Sequence, residues 1–159
     1  MGQTPKGTDL AGLAAWVALC FGAAAFGAWF PPGEWYAGLA KPAWTPPDWL
    51  FGPVWSILYL LMALAAWRVW RRHGFGGAGG ALGLFLVQLL FNALWSWIFF
   101  GLKAPGWALA DLTVLWLTAA ATLVAFWRHE PLAGGLLLPY LAWLSFAGAL
   151  NYALWRLNS

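Results

Sequence analysis

The chain has 159 residues, 63% of them apolar and only 8% charged, with a mean hydropathy of +0.71 and a formal net charge of +3. A soluble domain carries about 25% charged residues, so a water-facing globule is excluded, and so small a positive excess is no footprint for nucleic acid. The runs 10–30, 49–70, 81–100, 106–127 and 133–155 each meet the roughly 20 apolar residues that a bilayer crossing requires. The expectation is an all-α polytopic membrane protein, a single domain over 1–159 with five transmembrane helices embedded in lipid.

The first run follows Lys6 and exceeds the ~7–15-residue apolar core of a signal peptide, so it reads as a retained helix. It contains Cys20, the single cysteine, so no intramolecular disulfide can form. Ala14, Ala18 and Gly22 repeat every fourth residue, a spacing that lets helices approach closely. Packing within the molecule is the expectation for them, with a dimer face as the alternative. The same holds for Gly79 and Gly83.

The connector that follows, PPGEWYAGLAKPAWTPPD (31–48), is the one long break between runs. Its prolines forbid a continuous helix, and irregular backbone cannot face lipid. It therefore lies at the interface or covers a cavity. Trp35 and Trp44 suit that position, because an indole joins an apolar body to one N–H donor. Pro42, Pro46 and Pro47 stiffen the segment. The expectation is a lid over one mouth of the bundle.

The second run ends in RVWRRHGFGGAGG, which reads as arginines at the headgroups followed by a flexible glycine linker. No strand or GK[ST] ending makes it a phosphate cradle. Lys6, Arg68, Arg71, Arg72 and Arg128 fall on one side of the membrane, and Lys41, Lys103 and Arg156 on the other. In a bacterial inner membrane this places the N-terminus in the cytoplasm.

Of the 15 tryptophans, Trp29, Trp49, Trp67, Trp70, Trp107, Trp127 and Trp155 sit near helix ends as an interfacial belt. Trp55, Trp95, Trp97, Trp116 and Trp143 lie deeper. Gln88, Asn92, Trp95 and Phe99 share one helical face. Trp107, Asp111 and Thr118 form a stripe, and so do Tyr140, Ala147 and Asn151, with Trp143 close by. Polar groups inside a membrane are costly and point to function, although Asn92 and Asn151 also read as interhelical glue. Asp111 also reads as an anion favoured by a helix N-terminus. Together these residues describe an aromatic-walled cavity with few directing groups, as in small-ligand sites.

No nucleophile–base set, carboxylate pair or metal-ligand motif is present, and His73 and His129 lack ligand spacing. No metal and no required cofactor is expected, and conventional hydrolytic or metal enzymes are excluded. The set leaves room for light-driven or radical chemistry with an indole as electron donor.

Four segments carry a resemblance: WYAGLAKPAWTPPDWLFGPVWSILY (35–59), QLLFNALWSWIFFG (88–101), WALADL (107–112) and PYLAWLSFAGALNYALWRLN (139–158). Over nearly the whole chain they resemble the translocator protein family, also called tryptophan-rich sensory proteins or peripheral-type benzodiazepine receptors. The resemblance implies a five-helix bundle, often a homodimer, whose ligand cavity is capped by the first loop. It implies protoporphyrin IX or a related tetrapyrrole as ligand, with a role in tetrapyrrole regulation and light-dependent porphyrin degradation. Cholesterol binding in aid of sterol transport is the alternative, and synthetic isoquinoline carboxamides are further ligands of the family. Its pocket positions correspond to Ala23, Trp55, Asn92, Trp95, Trp107, Asp111, Trp143, Ala147 and Leu150. Trp55 and Trp143 match the tryptophans proposed to support porphyrin breakdown. The family's sterol motif falls on Leu150, Tyr152 and Arg156, a pattern that also describes an ordinary helix end with an interfacial tyrosine and arginine. The chain departs from some bacterial relatives at Ala43, where they carry a second loop tryptophan. The composition leans towards a bacterial membrane, with the mitochondrial outer membrane as the alternative.

Overall fold

The computed structural model describes residues 6–159; residues 1–5 of the expected domain and the side chain of Lys6 lie outside it. The described residues form helices and connectors with no strand. In order these are α1 (Lys6–Ala28), α2 (Gly33–Ala37), α3 (Phe51–Ser96), α4 (Pro105–His129), α5 (Pro131–Leu136) and α6 (Leu138–Leu157). A 3₁₀ turn, Asp48–Leu50, leads into α3, and a π-helical turn, Trp97–Gly101, ends it.

The apolar stretch Asp48–Gly101 is continuous over 54 residues. At 1.5 Å per residue that is about 80 Å, more than twice the ~30 Å core of a bilayer. It crosses twice, because the backbone leaves helical geometry at Gly74 (φ 61, ψ −178) and Ala78 (φ −131, ψ 24). Its two arms then lie side by side, and Gln88 Nε2 reaches Met62 Sδ at 3.7 Å. With α1, α4 and α6 the molecule is a five-crossing helical bundle.

The glycine run thus differs from the flexible linker expected of it. Residues 75–80 stay hydrogen-bonded as helix apart from the departure at Ala78, and only Gly74 uses the freedom that glycine alone has at this φ and ψ. The last crossing also differs from a single run over 133–155. It breaks at Leu137, because Pro139 crowds the residue before it and lacks the N–H that would continue the ladder.

The expected packing of Ala14, Ala18 and Gly22 inside the molecule is corrected as well. All three face outwards, and nothing lies within 4 Å of a Cβ built on Gly22, Gly79 or Gly83. The buried stripe of α1 is instead Gly12, Trp16 and Cys20, one helical step round. Gly12 lies under the Trp70 indole so closely that a Cβ would meet its ring carbon at 2.1 Å.

Both ends of the bundle are fastened. At one end Trp67 Nε1 donates to Asp9 O at 2.9 Å, and Arg68 pairs with Glu130, which is 3% exposed. His73 and His129 meet there with ring centroids 5.0 Å apart. At the other end lie the long connector, the π-turn and the C-terminal turn of α6. This alternation is what five crossings require.

Candidate functional site

The backbones of α3 and α6 stay apart along most of their length, and aromatic rings bridge the space between them. Trp55 on α3 meets Trp143 on α6 edge to face, with centroids 6.5 Å apart and planes at 89°. Trp55 also touches Tyr59 at 5.6 Å and Tyr140 at 6.5 Å. Phe51 and Phe146 complete the wall around Trp143, at 5.9 and 5.3 Å. Ala147 and, on α1, Ala23 are partly buried against the same core.

A buried chain of hydrogen bonds runs across the floor. Tyr59 Oη donates to Asn92 Oδ1, Asn92 Nδ2 donates to Tyr140 Oη at 2.9 Å, and Tyr140 Oη donates to Gln88 Oε1 at 2.6 Å. Each donor in the chain is used, as buried polar groups require. Trp95 stands beside it, stacked on Phe99 at 5.0 Å. Its Nε1 donates to Asn151 Oδ1 at 3.0 Å, and Asn151 Nδ2 in turn donates to Pro105 O at 2.9 Å. Asn92 and Asn151 therefore tie helices together. Against that background Trp143 Nε1 stands out, buried with no acceptor.

The connector 31–48 closes this mouth. Trp44 lies edge-on to Phe146 at 5.8 Å, directly over the ring that touches Trp143. Trp35 and Tyr36 pack on Phe99 at 5.8 and 6.4 Å. Pro42 and Pro46 are half-buried and Pro47 is exposed. Lys41 Nζ donates to Tyr36 O at 2.7 Å and sits 4.6 Å over the Tyr36 ring. Burial raises the Tyr36 phenol above its ordinary value, and the nearby Asp48 charge adds to the rise. It stays a neutral hydroxyl. The segment is fastened across 118 residues of sequence by Asn158, whose Oδ1 accepts from Ala40 N and whose Nδ2 donates to Ala40 O, both at 2.9 Å.

Other residues singled out in the sequence lie elsewhere. Trp107 is 76% exposed and Asp111 is 8% exposed. They line an open groove of about 400 Å³ on the outer side of α4, away from Trp55 and Trp143. Leu150 is buried in a separate cluster with Tyr36, Phe99 and Leu154. Tyr152 and Arg156 face outwards, so the three residues of the sterol pattern do not share one surface.

Trp55 and Trp143 thus stand on facing helices, with Asn92 nearby and the connector 31–48 packed over Phe146, and comparison with known proteins decides the family. The sequence profile of the TspO/MBR family matches residues 16–156. The chain belongs to the TspO/MBR family. It is 49% identical over 138 residues to the translocator protein of Homo sapiens, covering 83% of this chain and 81% of that one. It is 46% identical over 142 residues to the tryptophan-rich sensory protein of Cereibacter sphaeroides, covering 89% and 88%. It is 44% identical over 125 residues to the tryptophan-rich protein TspO of Archaeoglobus fulgidus, covering 79% and 80%. The match reaches into all five crossings, and this family member is a polytopic membrane protein.

Reading the sequence missed Tyr59, which looks like one more aromatic of the second apolar run, and Asn158, which lies beyond the last apolar run. It also missed the pairing of Arg68 with Glu130. Glu130 carried the one usable signal: a carboxylate just before a proline that opens a helix, two residues after Arg128.

Proposed function

We propose that this chain binds a flat hydrophobic ligand of the porphyrin class, protoporphyrin IX or a related tetrapyrrole, between α3 and α6 beneath the connector 31–48. The observation that carries the reading is the meeting of Trp55 and Trp143 across two helices whose backbones stay apart, with the Trp143 indole N–H buried and unpaired. Indole faces supply stacking area, and Trp143 Nε1 supplies one donor for an acceptor on the ligand. Ala23, Asn92, Trp95 and Ala147 shape the surroundings, and Trp35, Pro42, Trp44, Pro46 and Pro47 form the cover. The rings fill the site in the closed state. A macrocycle stacked between two indoles needs roughly 7–8 Å between their planes, so entry requires the lid to lift and the indoles to swing.

The protein would act as a receptor or sensor for tetrapyrroles, with slow light-dependent degradation through Trp55 and Trp143. Isoquinoline carboxamides would compete for the same space. A homodimer is part of the proposal, supported by the outward-facing Ala14, Ala18 and Gly22. So is a bacterial membrane. Sterol binding is the rival reading. An absorbance titration of the protein in lipid nanodiscs with protoporphyrin, with cholesterol as competitor, separates the two. A saturable Soret shift that cholesterol leaves unchanged supports the porphyrin reading; displacement by cholesterol at comparable concentration supports the sterol reading.

A further inference from the structure

The end of the bundle opposite the lid gathers the charge of the molecule. Lys41, Lys103 and Arg156 at the lid end are matched in number by Glu34, Asp48 and Asp111, so the whole formal charge of +3 resides at the other end. Four arginines supply it. Arg68, Arg71 and Arg72 lie in the last turns of the first arm of α3, before it breaks at Gly74, and Arg128 lies in the last turn of α4. Arginines that only anchor a bundle to headgroups can stand anywhere round its rim. These are collected at the ends of two neighbouring helices.

Three contacts fix their places. Arg68 Nε donates to Oε1 of the buried Glu130 at 2.8 Å. Arg71 is steadied over the Trp67 ring at 4.5 Å. His73 Nε2 lies 3.2 Å from His129 O. Each of these two histidines follows an arginine in sequence, so their contact brings Arg72 and Arg128 to adjoining helix ends. Those two arginines are left over. Arg72 Nε stands 3.7 Å from Glu130 Oε1, beyond a hydrogen bond, and its side chain is 55% exposed. Arg128 is exposed and makes no ion pair among the described residues. Two helix C-termini bring roughly half a negative charge each to this place, which four guanidiniums outweigh even with Glu130 paired. Guanidinium forks with unused donors suit an anion that offers several acceptor oxygens, and phosphate matches them best. Phe75 and Trp127, both exposed, adjoin the cluster in sequence and add apolar surface beside the charge. An anion with apolar chains attached uses both.

We propose that the ends of α4 and of the first arm of α3 form a binding site for the headgroup of an anionic phospholipid. Arg72 and Arg128 hold its phosphate. Glu130 and Arg68 form the fixed base beneath them, and the contact of His73 with His129 sets their spacing.

The test uses the full chain in nanodiscs that mix phosphatidylcholine with phosphatidylglycerol, and native mass spectrometry counts the lipids each chain retains. Phosphatidylglycerol should be retained saturably, one per chain and at least about tenfold in preference to phosphatidylcholine. Arg72→Gln combined with Arg128→Gln should weaken that retention roughly 30-fold, the loss of two cationic contacts at a membrane surface. Lys103→Gln combined with Arg156→Gln makes the same change in net charge at the lid end and should leave retention as it is. Far-UV helicity shows that each double variant is folded. Equal loss in the two double variants would make the effect one of net charge alone and overturn the site. Equal retention of the two lipids by the wild type would overturn it as well, even if the arginine variant failed to fold. Displacement of the lipid by millimolar inorganic phosphate would give the arginines to a free anion and overturn the lipid as occupant. None of these readouts involves porphyrin, so failure here leaves the reading of the site under the lid standing, and the converse also holds.

Discussion

Asn158 offers the sharpest perturbation of the lid. Its side chain grips Ala40 by both N–H and C=O at 2.9 Å, and a third bond from Nδ2 to Leu154 O at 2.7 Å holds the amide in place. Asn158→Ala deletes both lid bonds without touching an aromatic of the site. Each hydrogen bond contributes about 0.5–1.5 kcal/mol net, and because the residue is exposed, water replaces part of the loss. The closed lid should lose about 1–2 kcal/mol, or roughly 5–30-fold in its closed-to-open ratio at ~1.4 kcal/mol per decade. The clasp bonds the backbone of Ala40 and makes no contact with Trp55 or Trp143, so it holds the closed lid equally with or without ligand. Its loss should therefore speed entry and exit alike and leave Kd nearly unchanged. Stopped-flow absorbance with protoporphyrin gives both rates, and hydrogen exchange at the Ala40 amide gives the opening directly. Unaltered rates in the folded variant, or a weaker Kd with only dissociation affected, would refute the clasp as a gate.

Gly74→Ala should lower the melting midpoint, because φ 61 with ψ −178 costs a side chain of order 1–3 kcal/mol. Gly83→Ala, in regular helix with open space around it, should be neutral or slightly stabilising; equal effects would refute the turn's dependence on Gly74. Glu130→Gln should destabilise the bundle by about 1–3 kcal/mol, less than a fully buried pair because Arg68 is 24% exposed, and a detergent melt unmoved by the change would contradict this. Trp143→Phe should cost at most about 1 kcal/mol of porphyrin binding, since aromatic contact is largely kept. Bleaching of bound protoporphyrin under light and oxygen should fall much further, and nearly vanish with Trp55→Phe added, because phenylalanine is a far poorer electron donor than an indole. Equal bleaching per bound porphyrin would make both tryptophans walls only.

What the sequence made legible follows the strength of each physical signal. Long apolar runs located all five crossings, because a bilayer imposes length and composition on whatever spans it. The prolines of 31–48 marked the irregular connector between the first two crossings, since their backbone restrictions act locally. The helical face of Gln88, Asn92, Trp95 and Phe99 was readable from spacing alone. Which way a stripe faces was not. Trp107 and Asp111 share a stripe as expected, but Trp107 turns outwards while Asp111 is buried with Ala108, Leu112, Leu115 and Ala119. In a chain this apolar, both faces look alike. The same ambiguity hid the true packing stripe of α1, where Gly12 under Trp70 matters more than Ala14, Ala18 and Gly22. Contacts that join distant segments, Asn158 with Ala40 and Arg68 with Glu130, leave no periodicity to read.

Ala147 gives the most direct test of the central claim, that a flat hydrophobic ligand binds between α3 and α6 beneath the lid. It is partly buried against the core that holds Trp55 and Trp143, so Ala147→Phe fills space the ligand needs. Overpacking costs about 1–3 kcal/mol, or roughly 5–100-fold in affinity. The measurement is the protoporphyrin Kd of wild type and Ala147→Phe, read from Soret titrations in nanodiscs with matching melts to show that both are folded. A saturable wild-type shift weakened by at least fivefold is the predicted result. No saturable shift, or two affinities within twofold of each other, would contradict it.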